Sequence, residues 1–310
     1  MRNIRIGLVG YGEVGSTLGA GLRAQGLGQV SSFDTGAFEG PYAALIQGRA
    51  REAGVPLLRS AAELAAQSDV IIGVTPGSSS VDSAAGFAPH LAARHLFIDI
   101  ASATPKVKQA MAAALAGSGA QVADGSIVGT PRDGLALPIL ASGPAAAAVR
   151  DALVPWGMRI EAVGPELGTA SAIKILRSVL IKGIEALVDE MMLGARRYGL
   201  DDAVLASASR TLMSRPFPEF AGNLITTGVI HARRRAEEAA MAAEALADVG
   251  IEPIMTRSTA ARLRWVEALA LKEHFAGRIP QDYREALEAM EARMNAAGPP
   301  ASFQPSVKPG

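Results

Sequence analysis

The sequence contains no cysteine in 310 residues, which excludes disulfides and thiolate-held metals. Its four histidines, His90, His95, His231 and His274, show no ligand spacing, so no metal is expected. Aromatic residues make up only 5%, and they offer no obvious stacking platform. Net charge is lacking too, with 30 Lys and Arg against 30 Asp and Glu. No bulk field recruits nucleic acid or an anionic membrane. The one basic cluster, Arg233 to Arg235, is followed at once by Glu237 and Glu238. Fully apolar runs fall far short of the roughly 18 residues of a membrane span, and the opening residues lack the apolar core of a signal peptide. The expectation is a soluble cytoplasmic chain with neither nucleic acid nor membrane as partner.

What is present is enough apolar material, 49% of residues, for one large or two ordinary domains. The first half alternates strand-like runs (4–10, 29–34, 69–75, 96–102, 120–128, 137–143 and 159–164) with alanine-rich helical stretches such as 14–26, 60–67, 81–93 and 105–117. Such alternation predicts an α/β domain with a mostly parallel sheet. Strand-like runs then disappear. Residues 1–163 are read as that first domain, 164–295 as an all-α second domain, and the proline-bearing 296–310 as a disordered tail.

The segment GLVGYGEVGSTLGAGL places Gly10, Gly12 and Gly15 in the spacing G-x-G-x-x-G, between a strand and a helix. In a dinucleotide site the first glycine permits a tight turn and the second lets backbone approach a pyrophosphate. The third brings helix and strand together. Tyr11, Glu13 and Val14 complete this loop. Asp34 ends the next strand, where an acid meets the adenosine ribose and disfavours a 2′-phosphate. Residue 35 is Thr rather than Arg, so the expected cofactor is NAD, with NADP as the second choice.

Other strand ends carry further candidates. Thr75 and Pro76 are placed along the cofactor, since ligands bind at the carboxyl ends of parallel strands. Ser102 follows the next strand. Thr104 and Pro105 also suit the N-cap and first position of a helix. The amides of Gly129 and Thr130 suit an anion. On the long helix Lys174 and Ser178 are four residues apart and share a face. Their polar stripe continues through Lys182, Glu185 and Asp189, opposite an apolar stripe of Ile173, Leu176, Leu180, Ile184, Leu187 and Met191.

Together these residues resemble the β-hydroxyacid dehydrogenase family, of the 3-hydroxyisobutyrate and 6-phosphogluconate dehydrogenase type. The resemblance rests on Gly10, Gly12 and Gly15, on Asp99, Ser102 and Pro105 in D-x-x-S-x-x-P, on the loop 128–130, and on Lys174. Residues 128–130 read Val-Gly-Thr rather than Ser-Gly-Gly, position 101 is Ala rather than Asn, and position 178 is Ser rather than Asn. The K-x-x-R-S version, with HARRRAEEAAM at 231–241, looks like a branch with a divergent helical C-terminal domain.

The resemblance implies a Rossmann domain, an NAD(P)-dependent hydride transfer at a carbinol or carbonyl carbon, and Lys174 as general acid/base. It casts Ser102 and Ser178 as supporting catalytic residues. Gly129, Thr130 and Arg177 become contacts to a small acidic substrate. His231 becomes a residue that reaches a neighbouring subunit's site, against the plainer reading of a solvated basic helix face. The long apolar helix implies a homodimer. Two alternatives stay open: an imine reductase, whose usual lack of this lysine argues against it, and a non-catalytic dinucleotide-binding module.

Overall fold

The computed structural model describes residues 4–297, so most of the predicted tail, 298–310, lies outside the described residues. The chain divides into two compact units, Met1–Leu180 and Ile181–Gly310. The division falls later than residue 163 because the start of the long helix is fastened to the first unit. The last helix also runs to Ala297, past the predicted onset of the tail.

The first unit holds one eight-stranded sheet in the order β3-β2-β1-β4-β5-β6-β7-β8. The strands are β1 (Ile6–Val9), β2 (Val30–Phe33), β3 (Leu57–Leu58), β4 (Val70–Gly73), β5 (Leu96–Asp99), β6 (Gln121–Ile127), β7 (Pro138–Ser142) and β8 (Arg159–Gly164). All neighbours pair parallel except β6 and β7. The short helical turn Pro131–Ala136 joins those two, and so short a link cannot make the crossover a parallel pair requires.

Alternate residues of the central strands face opposite layers. Leu8, Ile72 and Ile98 pack with Leu18 and Leu22 of α1 (Glu13–Ala24) and Val149 of α6 (Ala146–Leu153). On the other face Val9, Ile71 and Phe97 meet Phe87 of α4 (Ser80–Phe87) and Met111 and Leu115 of α5 (Pro105–Leu115). Helices α2 (Ala43–Ala53) and α3 (Ala61–Ala66) flank the two-residue β3. β3, α2 and α6 were not among the predicted elements.

The long helix α7 (Thr169–Tyr198) crosses the division. The second unit continues with α8 (Asp201–Leu212), α9 (Phe217–Asp248), α10 (Ile254–Ala268), α11 (Leu271–His274) and α12 (Tyr283–Ala297). Its core gathers Val229 and Ile230 of α9 with Leu269, Leu271, Phe275 and Ala286. No described helix is long and apolar enough to cross a membrane.

Candidate active site

The three motif glycines meet three different surroundings. Gly10 has φ +100°, a left-handed conformation that a side chain disfavours. A Cβ on Gly15 would strike the carbonyl oxygen of Gly10, so the helix closes tightly on the turn. A Cβ on Gly12 would meet nothing within 4 Å. Open space therefore lies over the second glycine, at the N-terminus of α1, where helix amides attract an anion.

Asp34, just beyond β2, clamps this turn. Its Oδ2 accepts the backbone N–H of Tyr11 at 2.6 Å and its Oδ1 that of Gly36 at 2.8 Å. Each carboxylate oxygen keeps acceptor capacity. The Tyr11 side chain turns into the core, fully buried with its hydroxyl unpartnered, and burial pushes the phenol up to about 12. Glu13 is exposed in the first turn of α1, and Val14 packs against the core.

A cleft of about 590 Å³ opens at the carboxyl edge of the sheet, bounded by Gly10, Gly12, Asp34, Thr75, Pro76 and Asp82 among others. It sits where the chain turns from β1 to β2 on one side and β4 on the other, the switch point at which open α/β sheets bind ligands. A glycine cradle open above Gly12, an acid at the end of β2 and a cleft between them fit a dinucleotide.

Beyond the cleft, residues at the end of β5 and the start of α7 come together. Gly77, one residue beyond Pro76, has no room for a Cβ because the Ser102 carbonyl lies against it. The cleft wall is thereby set beside Ser102. Asp99 Oδ1 accepts the Ala101 N–H at 3.0 Å and shapes the turn that presents Ser102. Thr104 caps α5 through its Oγ1 at 3.3 Å from the Val107 N–H, with Pro105 in the first helical position.

Lys174 Nζ donates to Ser102 Oγ at 2.5 Å. Burial, and secondarily the nearby Lys108 cation, holds the Lys174 ammonium below the usual lysine range. Both causes favour the neutral amine.

The remaining expected residues are placed less centrally. Ser178 Oγ donates to the Lys174 carbonyl at 2.8 Å rather than to its amine, so its proton is committed to the helix backbone. Arg177 is exposed. The Thr130 amide donates to Asp133 Oδ2 at 2.8 Å, and Asp133 also crowds Gly129. His231 belongs to the second unit, where it kinks α9 (φ −109°, ψ 16°) and lines a charged cavity with Arg233, Arg234 and Lys272.

Sequence reasoning passed over Lys108 and Asp124, which are fully buried beside Asp99. The only signal was an acid within the strand AQVADGSIV, since buried acids need partners.

Residues 195–266 match a domain of unknown function. A protein of Methanothermus fervidus, described as an uncharacterized 28.5 kDa protein in the 7S RNA 5′ region, is 26% identical, with 85% of this chain and 99% of that protein covered. A conserved protein of unknown function, described as structurally similar to 3-hydroxyacid dehydrogenases, is 29% identical. That match covers 86% of this chain and 98% of the other, with a TM-score of 0.58. A reductive aminase from Aspergillus terreus, solved with NADPH and ethyl levulinate, shares the fold at 17% identity and a TM-score of 0.71, over 93% and 99% of the two chains. Residues 5–164, just over half of the chain, match the NAD binding domain of 6-phosphogluconate dehydrogenase, and the chain belongs to that family of NAD-binding oxidoreductase domains.

Proposed function

We propose that this protein interconverts the carbinol and carbonyl of a small hydroxy acid or related alcohol, with Lys174 as general acid/base. A bound nicotinamide dinucleotide supplies the hydride acceptor or donor. Gly10, Gly12, Gly15, Asp34, Thr75 and Pro76 hold it, and Tyr11, Glu13 and Val14 shape the loop between the glycines. The Asp34 carboxylate beside Thr35 favours NAD over NADP, because an anion at the end of β2 repels a 2′-phosphate.

The observation that carries the reading is the Lys174–Ser102 contact beside the cleft wall. An amine whose ammonium form is disfavoured by burial takes the hydroxyl proton in oxidation and returns it in reduction. Ser102 Oγ accepts from Lys174 and keeps its own proton for the substrate oxygen. Ser178 acts through its bond to the helix backbone at Lys174. Gly129, Thr130 and Arg177 supply contacts to the acidic end of the substrate.

A second copy of the chain supports the arrangement. On α7 the expected apolar stripe is exposed, Leu176 at 69% and Val179 beside it at 70%. Apolar surface of this extent on a helix favours a homodimer, and His231 is assigned to the neighbouring copy's site. Light scattering would then return twice the chain mass.

The test is NADH formation from NAD across hydroxy acids and alcohols, with Lys174→Ala beside the parent chain. Turnover that disappears in the variant while NADH still binds supports the reading. Turnover that survives the substitution, or that appears only with imines, overturns it. NADH binding with no turnover on any substrate favours the non-catalytic module.

A further inference from the structure

Beneath the Ser102–Lys174 pair lies a cluster that the proposed chemistry does not use. The Lys108 side chain, on α5, is 0% exposed. Its Nζ donates to the Asp99 carbonyl at 2.6 Å, to Asp99 Oδ2 at 3.1 Å and to the Gly125 carbonyl at 3.2 Å, and it stands 3.4 Å from Asp124 Oδ1. One ammonium thus joins two buried carboxylates on adjacent strands.

Each carboxylate holds one half of the pair above. Asp99 receives the Ala101 amide and fixes the turn that presents Ser102. Asp124 receives the Ser171 amide at 3.0 Å and the Ser171 hydroxyl at 2.8 Å, in the first turn of α7. Ser142 Oγ also donates to Asp124 Oδ2, at 3.3 Å, and in turn accepts the Ala170 amide at 2.9 Å. Lys174 lies three residues beyond Ser171, on the same helix face. Among the described residues, Lys108 is therefore the single side chain that pairs with the holders of both partners.

We infer that Lys108 is a positioning residue for the reacting pair, locking Ser102 and Lys174 in register by bridging Asp99 and Asp124. The inference rests on the proposed role of Lys174, but the geometry it describes exists without substrate. A buried ammonium here is costly unless all its donors are met. Three acceptors take its three donors and Asp124 adds an ion pair, and the arrangement fixes three elements relative to one another.

The charges around Lys174 are few. They are the Lys108 cation on α5, with Asp99 on β5 and Asp124 on β6 against it, and Arg177 on its own helix. Among the described residues no carboxylate lies within ion-pair distance of Lys174. Loss of the Lys108 cation removes a repulsion and admits water, and both raise the titration midpoint of Lys174.

The experiment reads that midpoint directly. The full chain is acylated with an N-hydroxysuccinimide ester from pH 6 to 11, and modification at Lys174 is followed by mass spectrometry. Lys108→Gln keeps donors without charge, and Lys108→Met/Asp99→Asn removes cation and anion together. In Lys108→Gln, with native circular dichroism and NADH affinity kept, the midpoint rises; in the double variant, which leaves Asp124 and so keeps the cluster's net charge, it rises less. Where the parent chain turns over, kcat falls at least ~10-fold with KM within ~3-fold, and Lys108→Arg restores the midpoint. A folded variant with unchanged midpoint and unchanged kcat overturns the inference. So does failure of both variants to fold, which makes Lys108 a determinant of the fold instead. If no substrate is found for the parent chain, the dehydrogenase reading fails and the acylation profile still decides the role of Lys108.

Discussion

Asp34 Oδ2 holds the backbone amide of Tyr11 at 2.6 Å, so one carboxylate both braces the glycine turn and faces the cofactor cleft. These two roles separate in Asp34→Asn. The amide keeps an oxygen for Tyr11 but loses the charge that opposes a 2′-phosphate. The Gly36 amide, which donates to the other carboxylate oxygen, then faces the carboxamide NH2 and loses its acceptor, so stability falls by about 1–3 kcal/mol. Isothermal titration should show NADP affinity rising and NAD affinity falling. An unchanged NAD-to-NADP ratio contradicts the placement of Asp34 at the ribose.

Gly12 and Gly15 predict opposite outcomes for the same substitution. Gly12 has φ −69° and open space above it, so Gly12→Ala leaves the melting temperature near that of the parent. Dinucleotide binding weakens at least ~10-fold, because the methyl stands where the pyrophosphate approaches. Gly15→Ala drives a methyl into the Gly10 carbonyl and costs about 1–3 kcal/mol of stability as overpacking. Differential scanning fluorimetry with and without NADH separates the two.

The glycine turn, the parallel sheet and Asp34 were legible in the sequence because each follows from a local rule: a spacing, an alternation, a strand end. The two-residue β3 carries too little pattern to read. Helix α2 buries only Ile46 and Ala50, and so small an apolar face leaves no clear period. Lys108 was illegible for a different reason. In TPKVKQAM a lysine reads as a solvated helix face, and its burial arises only when β5, β6 and α7 meet around it. The same limit applies to α7, whose apolar stripe was visible in sequence but lies exposed in one chain.

Lys174 carries a pH signature with a definite sign. Its folded pKa lies below the ordinary lysine value because burial, then Lys108, opposes the charge. Between that lowered value and about 10.5, the unfolded chain binds more protons than the folded one. Stability contributed by this group therefore rises with pH through that window, and at neutral pH the buried ammonium is a penalty. Lys174→Met should raise the melting temperature at pH 7 and lose the advantage as pH climbs through the window. In the oxidation direction kcat should rise with pH to a plateau whose midpoint lies below that of free lysine. A melting difference independent of pH between 7 and 10.5 contradicts the assignment.

The second unit offers a stability test away from the chemistry. Glu190, on α7 and 7% exposed, turns its carboxylate onto the start of α10. It accepts the amides of Met255 and Thr256, each at 2.8 Å, and the Thr256 hydroxyl at 2.5 Å. A helix N-terminus leaves its first amides without intrahelical partners and carries a partial positive charge, so a carboxylate there satisfies both needs. Glu190→Ala strands two amides and costs about 2–4 kcal/mol, while Glu190→Gln keeps one of the two acceptor oxygens, strands one amide and costs about 1–2 kcal/mol. Urea unfolding should rank parent, Gln and Ala in that order. NADH affinity should stay level in all three, because the cofactor cleft is built wholly from residues of the first unit.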